Sequence, residues 1–125
     1  MDTLYREEIM EHYKYPRNRG VIDHPDLTYE DTNPLCGDII RIDIKKENNQ
    51  IAEIKFLAKG CAISQAAVSM LSDMVEGKDL EEVKKIDKKA ILDELRIELG
   101  PVRLKCALLS LKTLQQALGE THGST

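Results

Sequence analysis

The sequence predicts an α+β fold, because the period of its hydrophobic pattern changes along the chain. Residues 38–59 hold two runs in which apolar and polar residues alternate, as in half-buried strands. Residues 62–118 repeat apolar residues every three or four positions, as in helices that bury one face. Residues 3–14 have the same helical repeat. A small antiparallel sheet flanked by helices follows from these patterns.

The first predicted element is an amphipathic helix over residues 3–14, with Ile9 and His12 on its apolar stripe. The helix is expected to end before Pro16, because the residue before a proline is disfavoured in helical geometry. A loop follows, and residues 27–31 are a candidate short strand.

A β-hairpin is predicted over residues 38–46 and 51–59, joined by a polar turn at Glu47–Gln50. Its two strands alternate between an apolar face and a charged face. The residues predicted to face inward are Ile40, Ile42, Ile44, Ala52, Ile54, Phe56 and Ala58.

The remaining elements are predicted to be helices over residues 62–76, 80–86, 88–95 and 102–118. Asp79 and Asp87 precede the two short helices and are candidate N-caps. Gly100-Pro101 separates them from the last and longest helix. We expect one domain over residues 1–118 and a disordered polar tail over 119–125.

Composition narrows the class of protein. The 125 residues are 42% hydrophobic and 32% charged, values typical of a globular domain, and no run approaches the roughly 20 apolar residues that cross a bilayer. The first residues include acids and no apolar stretch, so we expect no export signal and a cytoplasmic location. A net charge of −4, no Trp and one Phe argue against nucleic-acid binding.

The three cysteines, Cys36, Cys61 and Cys106, all fall at the ends of predicted elements. Helix N-termini and neighbouring cations favour thiolates there, and thiolates bind metals and attack sulfur. Spacings of 25 and 45 residues match no short zinc knuckle. Spacing alone therefore leaves open that they are buried, small apolar residues.

The neighbours of the cysteines favour a shared metal or redox site. Gly37 and Gly60 each adjoin a cysteine and let the backbone approach a bound ion. Asp38 adds an oxygen that a core position would not tolerate without a partner. Lys105 precedes Cys106 and supplies a cation.

Other chemistry has weaker support. His12, His24 and His122 are poor candidates for a further ligand, since they fall on a helix stripe, in a loop and in the tail. Gly60-Cys61-Ala62-Ile63-Ser64 lacks the second glycine of a nucleophile elbow. We therefore predict no catalytic residue.

Four segments spread over residues 4–118 carry a known pattern: Leu4-Tyr5 with His12 to Gly20, Asn33 to Asp38, Gly60 to Ser64, and Leu99 to Cys106. In this order they resemble the IscU family, which includes the N-terminal domain of NifU and the SufU proteins. The resemblance implies a two-layer α/β sandwich in which a three-stranded antiparallel sheet packs against helices.

The same resemblance implies a scaffold for iron–sulfur cluster assembly that is not itself an enzyme. Cys36, Cys61 and Cys106 would bind a [2Fe–2S] cluster, and Asp38 would be the acidic residue of the site. A cysteine desulfurase would supply sulfur, other donors would supply iron and electrons, and recipient apo-proteins would accept the cluster. The protein would be a monomer or a homodimer.

Two departures from the family pattern matter. Lys105 stands where IscU proteins have His, and this lysine together with Ala62-Ile63-Ser64 is similar to SufU. The chain nevertheless lacks the insertion that SufU-like proteins carry before the third cysteine. The fourth ligand is then Asp38, an exogenous thiol or a group from a second subunit, because a cationic lysine is a poor ligand.

The segment Leu99-Gly100-Pro101-Val102-Arg103 is similar to the sequence that a DnaK-type chaperone binds in IscU proteins. It differs by Gly for Pro and Arg for Lys. The alternative is that Pro101 merely begins the last helix.

Two further hypotheses compete with the scaffold. In the first, Zn²⁺ on the same residues organises a SufU-type sulfur acceptor for the desulfurase. In the second, the chain is a structural zinc-binding domain.

Overall fold

The structure is a computed structural model that describes residues 3–34, 37–96 and 99–119. Within these ranges the elements are α1 (Thr3–Lys14), β1 (Leu27–Asn33), β2 (Asp38–Glu47), β3 (Gln50–Lys59), α2 (Ala62–Val75), α3 (Leu80–Lys84), α4 (Lys88–Leu95) and α5 (Pro101–Ala117). The predicted α+β fold is confirmed. Residues 120–125 of the predicted tail lie outside the described ranges, and the domain limits stay a prediction.

The three strands form one antiparallel sheet in the order β1-β2-β3. The β2–β3 hairpin turns at Asn48 and Asn49, both with positive φ, as tight hairpin turns require. Strand β1 extends beyond the predicted residue 31, because it continues to pair with β2 as far as Asn33 opposite Asp38. This last pair lies at the start of β2, next to Gly37.

Strand β3 contains a bulge that reverses one prediction. Lys45 pairs with Glu53 while Lys46 pairs with Ile51, so Ala52 is an extra residue without a partner in the register. Ile51 is buried and Ala52 is exposed. The expectation that Ala52 faces the core is therefore wrong, because the bulge shifts the alternation by one residue.

The core lies between the inner face of the sheet and helices α2 and α5. Ile40, Ile42, Ile44 and Phe56 of the sheet are at most 2% exposed, and each such side chain contributes about 1.5–3 kcal/mol on burial. Helix α1 packs on α2, and α4 packs on α5. The core fixes the sheet ends relative to the starts of α2 and α5.

The short helices test the predicted caps. The Asp87 carboxylate accepts a hydrogen bond from Ala90 N at 3.1 Å, so this N-cap is confirmed. Asp79 makes no side-chain cap and instead accepts from Gln50 Nε2 at 3.2 Å. Asp79 thus holds the predicted N-cap position of α3, but its side chain does not cap the helix.

None of the helices in the described ranges is both long and apolar enough to cross a bilayer.

Candidate metal centre

Three chain segments meet at one end of the sheet: the first residue of β2, the junction of β3 with α2, and the second turn of α5. They carry Asp38, Cys61 and Cys106, whose nearest carboxylate oxygen and sulfur atoms all lie within 4.8 Å of one another. These are three of the four predicted ligands. The fourth, Cys36, falls outside the described residues.

Asp38 is fully buried, with no exposed side-chain surface. Its Oδ1 accepts a hydrogen bond from the backbone N–H of Cys61 at 2.9 Å. Its Oδ2 lies 3.8 Å from Cys61 Sγ, where the thiol can donate to the carboxylate. One carboxylate thus contacts both the main chain and the sulfur of the same cysteine.

Gly60 makes room for this carboxylate. Its φ of +140° is unfavourable for residues with a side chain, and a Cβ added there would lie 1.9 Å from Asp38 Oδ1. Gly37 also has a positive φ, +72°, but a Cβ there would meet nothing within 4 Å. Space is therefore critical at Gly60, whereas Gly37 serves the conformation of the turn.

Cys61 is the N-cap residue of α2, and its side chain is exposed. Ser64, one turn into the helix and fully buried, donates from Oγ to the Cys61 carbonyl at 3.1 Å. The same hydroxyl oxygen lies 3.8 Å from Cys61 Sγ. The sequence analysis did not predict this contact between Ser64 and the sulfur. A serine three residues after an N-cap is the signal that could have revealed it.

Cys106 is 1% exposed and lies in the second turn of α5. The side-chain amide of Asn33, at the end of β1, places Nδ2 3.8 Å from Cys106 Sγ. Sequence reasoning did not find this contact. The two sulfurs therefore differ in access, since Cys61 faces solvent and Cys106 is enclosed.

Lys105 is exposed on α5, next to Cys106. It lines a cleft of about 370 Å³ between α5 and the end of β1. The cleft is bordered by Thr32, Asn33, Pro34, Lys105, Leu108, Leu109 and Lys112. Lys105 thus borders open space beside the site.

The predicted chaperone segment forms the start of α5. Gly100 is the N-cap and Pro101 the first helical residue, as the alternative interpretation expected. Val102 is 52% exposed, Arg103 is exposed, and Leu99 is half-buried. This geometry is compatible with either interpretation, and chaperone binding stays a prediction.

Two of the three histidines, His12 and His24, lie where the sequence indicated. His12 is buried, with Nδ1 2.8 Å from Ser69 Oγ. Burial, reinforced by the nearby Arg17 cation, lowers the pKa of His12 below its ordinary value. His24 is exposed in a loop, and His122 lies outside the described residues.

The donor set fits a thiophilic metal. Zinc and iron–sulfur centres favour thiolate sulfur, and a carboxylate is an accepted oxygen ligand for zinc. A tetrahedral zinc site with a sulfur ligand at about 2.3 Å and an oxygen ligand at about 2.1 Å separates these two ligand atoms by about 3.6 Å. The 3.8 Å between Asp38 Oδ2 and Cys61 Sγ is close to this separation.

An α+β fold with two cysteines and a buried aspartate at meeting element ends defines a small metal- or sulfur-handling protein. Residues 4–124 match the family described as the NifU-like N terminal domain. The chain belongs to this IscU/NifU N-terminal family of iron–sulfur cluster scaffolds.

Two relatives show the range within the family. The chain is 36% identical to the zinc-dependent sulfurtransferase SufU of Bacillus subtilis, over 98% of this chain and 95% of that protein. That alignment spans 140 residues, more than the 125 of this chain, so it includes positions without a counterpart here. The chain is also 37% identical to the iron–sulfur cluster assembly enzyme IscU of Drosophila melanogaster, over 94% and 78% of the two chains.

The fold agrees with a solved structure. FiSufU, a SUF-system protein from Fervidobacterium islandicum AW-1, superposes with a TM-score of 0.78 at 29% identity. The superposition covers 90% of this chain and 94% of that one. The predicted resemblance to the family is thereby confirmed.

Proposed function

We propose that this protein is a scaffold on which a labile [2Fe–2S] cluster is assembled and from which it passes to recipient apo-proteins. The observation that carries the proposal is the cluster of Asp38, Cys61 and Cys106 ligand atoms within 4.8 Å. Family membership supports it. The protein acts as a carrier in this proposal, and the sulfur chemistry belongs to its partner enzyme.

The ligand set suits a cargo that must be held and then released. Cys36, Cys61 and Cys106 are the proposed thiolate ligands, and Asp38 is the proposed oxygen ligand or gate. Thiolates bind iron firmly, whereas an oxygen ligand is weaker in a sulfide cluster and exchanges more readily. An exogenous thiol or a group from a second subunit is the alternative fourth ligand.

The difference in access between the sulfurs suggests an order of events. Exposed Cys61 is the point at which a partner can deliver sulfur, and buried Cys106 retains what has been delivered. The proposed partners are a cysteine desulfurase, donors of iron and electrons, and the recipient proteins. A DnaK-type chaperone would bind Leu99 to Arg103, where Val102 is accessible.

A second candidate function is a zinc-dependent sulfur acceptor. The similarity to SufU over nearly the whole of both chains favours it, as does Lys105 beside Cys106. Zn²⁺ held by the same residues would keep the cysteines deprotonated and fixed in place. The spacing of 45 residues between Cys61 and Cys106, which leaves no room for the insertion of SufU-like proteins, argues against it.

Analysis of iron, zinc and acid-labile sulfide in anaerobically purified protein separates the two candidates. Iron with equimolar sulfide is the expected result for the scaffold, and zinc without sulfide is expected for the acceptor. Strong unfolding on chelation, with no sulfur transfer, would instead favour a structural zinc domain.

Anaerobic reconstitution with iron and sulfide tests the ligands. Visible absorption should appear and should be lost when Cys36, Cys61 or Cys106 is replaced by Ser. Asp79→Ala, a change at an exposed carboxylate bound to Gln50, is the control and should leave the spectrum intact. A spectrum that survives all three cysteine replacements would overturn the assignment.

The role of zinc is tested by desulfurase turnover with and without one equivalent of the metal. Zinc-dependent activation supports the second candidate, whereas a scaffold works without it.

A further inference from the structure

Asn33 lies where β1 ends and the chain turns toward the start of β2, next to the candidate metal centre. It is the last residue of β1, is 6% exposed, and pairs with Asp38 across the sheet. Its carbonyl accepts a hydrogen bond from Gly37 N at 2.8 Å. The backbone of Asn33 therefore closes the turn between β1 and β2.

The side chain of Asn33 turns toward α5. Its Nδ2 lies 3.8 Å from Cys106 Sγ, and both side chains are buried. Contacts from N–H to sulfur are longer than those to oxygen because the sulfur atom is larger. An amide NH₂ group is a neutral donor, so it stabilises negative charge on sulfur without competing as a base.

We propose that Asn33 is a positioning residue of the candidate metal centre, whose side-chain amide fixes the position of the Cys106 sulfur. The proposal rests on the function proposed above. It assigns to Asn33 the role of a hydrogen-bonded neighbour that orients a ligand without touching the metal.

Burial is the reason to expect a measurable effect. A hydrogen bond in a low-dielectric interior is stronger than one in water, and one to a charged acceptor is stronger again. Lys105 is nearer in sequence to Cys106, but it is exposed, and its charge is screened by solvent. Removing a hydrogen-bonded neighbour of a metal ligand typically lowers metal affinity about 10- to 100-fold.

The first test measures binding of Co²⁺ alone, whose thiolate-to-metal absorption reports the sulfur ligands. Asn33→Ala removes the donor, and Asn33→Asp keeps the side-chain shape but puts a negative charge near the sulfur. We expect about tenfold weaker binding for Asn33→Ala, a larger loss for Asn33→Asp, and a shifted absorption band in both. Asn49→Asp, the same change at an exposed turn residue, should match the unaltered protein.

The second test uses metal-free protein and does not depend on the proposed function. The side-chain amide proton signals of Asn33 in an NMR spectrum should move when Cys106 is replaced by Ala, and those of Asn49 should not. If Asn33→Ala does not fold, Asn33→Asp and this measurement still decide the matter.

The proposal is overturned if the Asn33 signals do not respond to Cys106→Ala. It is also overturned if the Asn33 variants lose unfolding free energy but keep the affinity and absorption band of Co²⁺, because the role would then be structural. If the unaltered protein binds no Co²⁺ while the NMR response is present, the contact stands and the metal-holding function fails with the role built on it.

Discussion

Strand β2 buries two carboxylates, Asp38 at its first residue and Asp43 near its middle, and their surroundings differ. Asp43 accepts hydrogen bonds from Thr28 Oγ1 at 2.6 Å, Arg41 Nε at 3.0 Å and Ile22 N at 3.1 Å. Asp38 accepts from Cys61 N and lies 3.8 Å from the Cys61 sulfur. The Asp43 carboxylate accepts from nitrogen and oxygen donors. The Asp38 carboxylate adjoins a sulfur atom that can exchange its proton for a metal.

The comparison separates a structural acid from a site acid. Burial alone would raise the pKa of Asp43, but hydrogen bonds from Thr28, Arg41 and Ile22 hold it below its ordinary value. Asp43 is therefore a stable anion that ties the loop before β1 to the sheet. Depth of burial does not distinguish the two residues, since Asp38 is 0% and Asp43 1% exposed. The two residues differ instead in the chemistry of the groups that contact their carboxylates.

The largest effect is expected for Asp43→Ala. The substitution removes the acceptor of the hydrogen bonds from Thr28, Ile22 and the Arg41 guanidinium. It should lower the unfolding free energy by about 3 kcal/mol. Urea unfolding measures this change. The affinity of the folded variant for Zn²⁺ should stay that of the unaltered protein, and a matching loss of affinity would break the proposed separation of roles.

The second-largest effect is expected for Gly60→Ala. Its Cβ would overlap Asp38 Oδ1 and force the carboxylate away from Cys61, so we expect affinity for Zn²⁺ to fall at least tenfold. Backbone strain should also cost about 1–3 kcal/mol of stability.

Gly77→Ala is the matched control for that strain. Gly77 has a φ of +83°, and nothing lies within 4 Å of a Cβ added there. It should lose comparable stability and no metal affinity. Equal losses of affinity in the two alanine variants would show that the space at Gly60 does not matter for the site.

Asp38→Ala removes the other carboxylate of the comparison, the one beside the Cys61 sulfur. The Cys61 N–H that loses its acceptor should cost about 1 kcal/mol of stability. The lifetime or transfer rate of a reconstituted cluster should change about tenfold or more. Decay of visible absorption measures the cluster lifetime in the absence of an acceptor and the transfer rate after an apo-protein acceptor is added. A variant altered only in stability would remove Asp38 from the site.

The sequence predicted the helices and strands well where the hydrophobic periodicity is strong. It also placed the candidate ligands at the ends of those helices and strands. Cys61, Cys106 and Asp38 were predicted to share a site from the residues next to the cysteines and from the family resemblance, and the structure brings the three together. Cys36 was predicted on the same grounds and lies outside the described residues. The bulge at Ala52 was missed, since one extra strand residue leaves the local composition unchanged.

Contacts between distant segments could not be predicted where no motif marks the residues. Asn33 and Cys106 lie 73 residues apart in the chain, and no local pattern relates them. Asp43 alternates with the inward-facing isoleucines of β2 and so lies on the face predicted to be charged, yet it is buried and accepts hydrogen bonds from Ile22 N and Thr28 Oγ1. Such burial depends on how a loop folds over the sheet.

The smallest effect concerns acid stability. Because the folded protein holds the pKa of Asp43 below its ordinary value, the unfolded chain binds a proton there first as the pH falls. The stability that Asp43 contributes is therefore present above the unfolded pKa of about 3.9 and is lost as the pH falls through the lower folded value. Asp43→Asn does not titrate, so its unfolding free energy should decline less steeply than that of the unaltered protein below about pH 5. Parallel curves from urea titrations at successive pH values would mean that Thr28, Arg41 and Ile22 do not stabilise the anion, and the contrast with Asp38 would then fail.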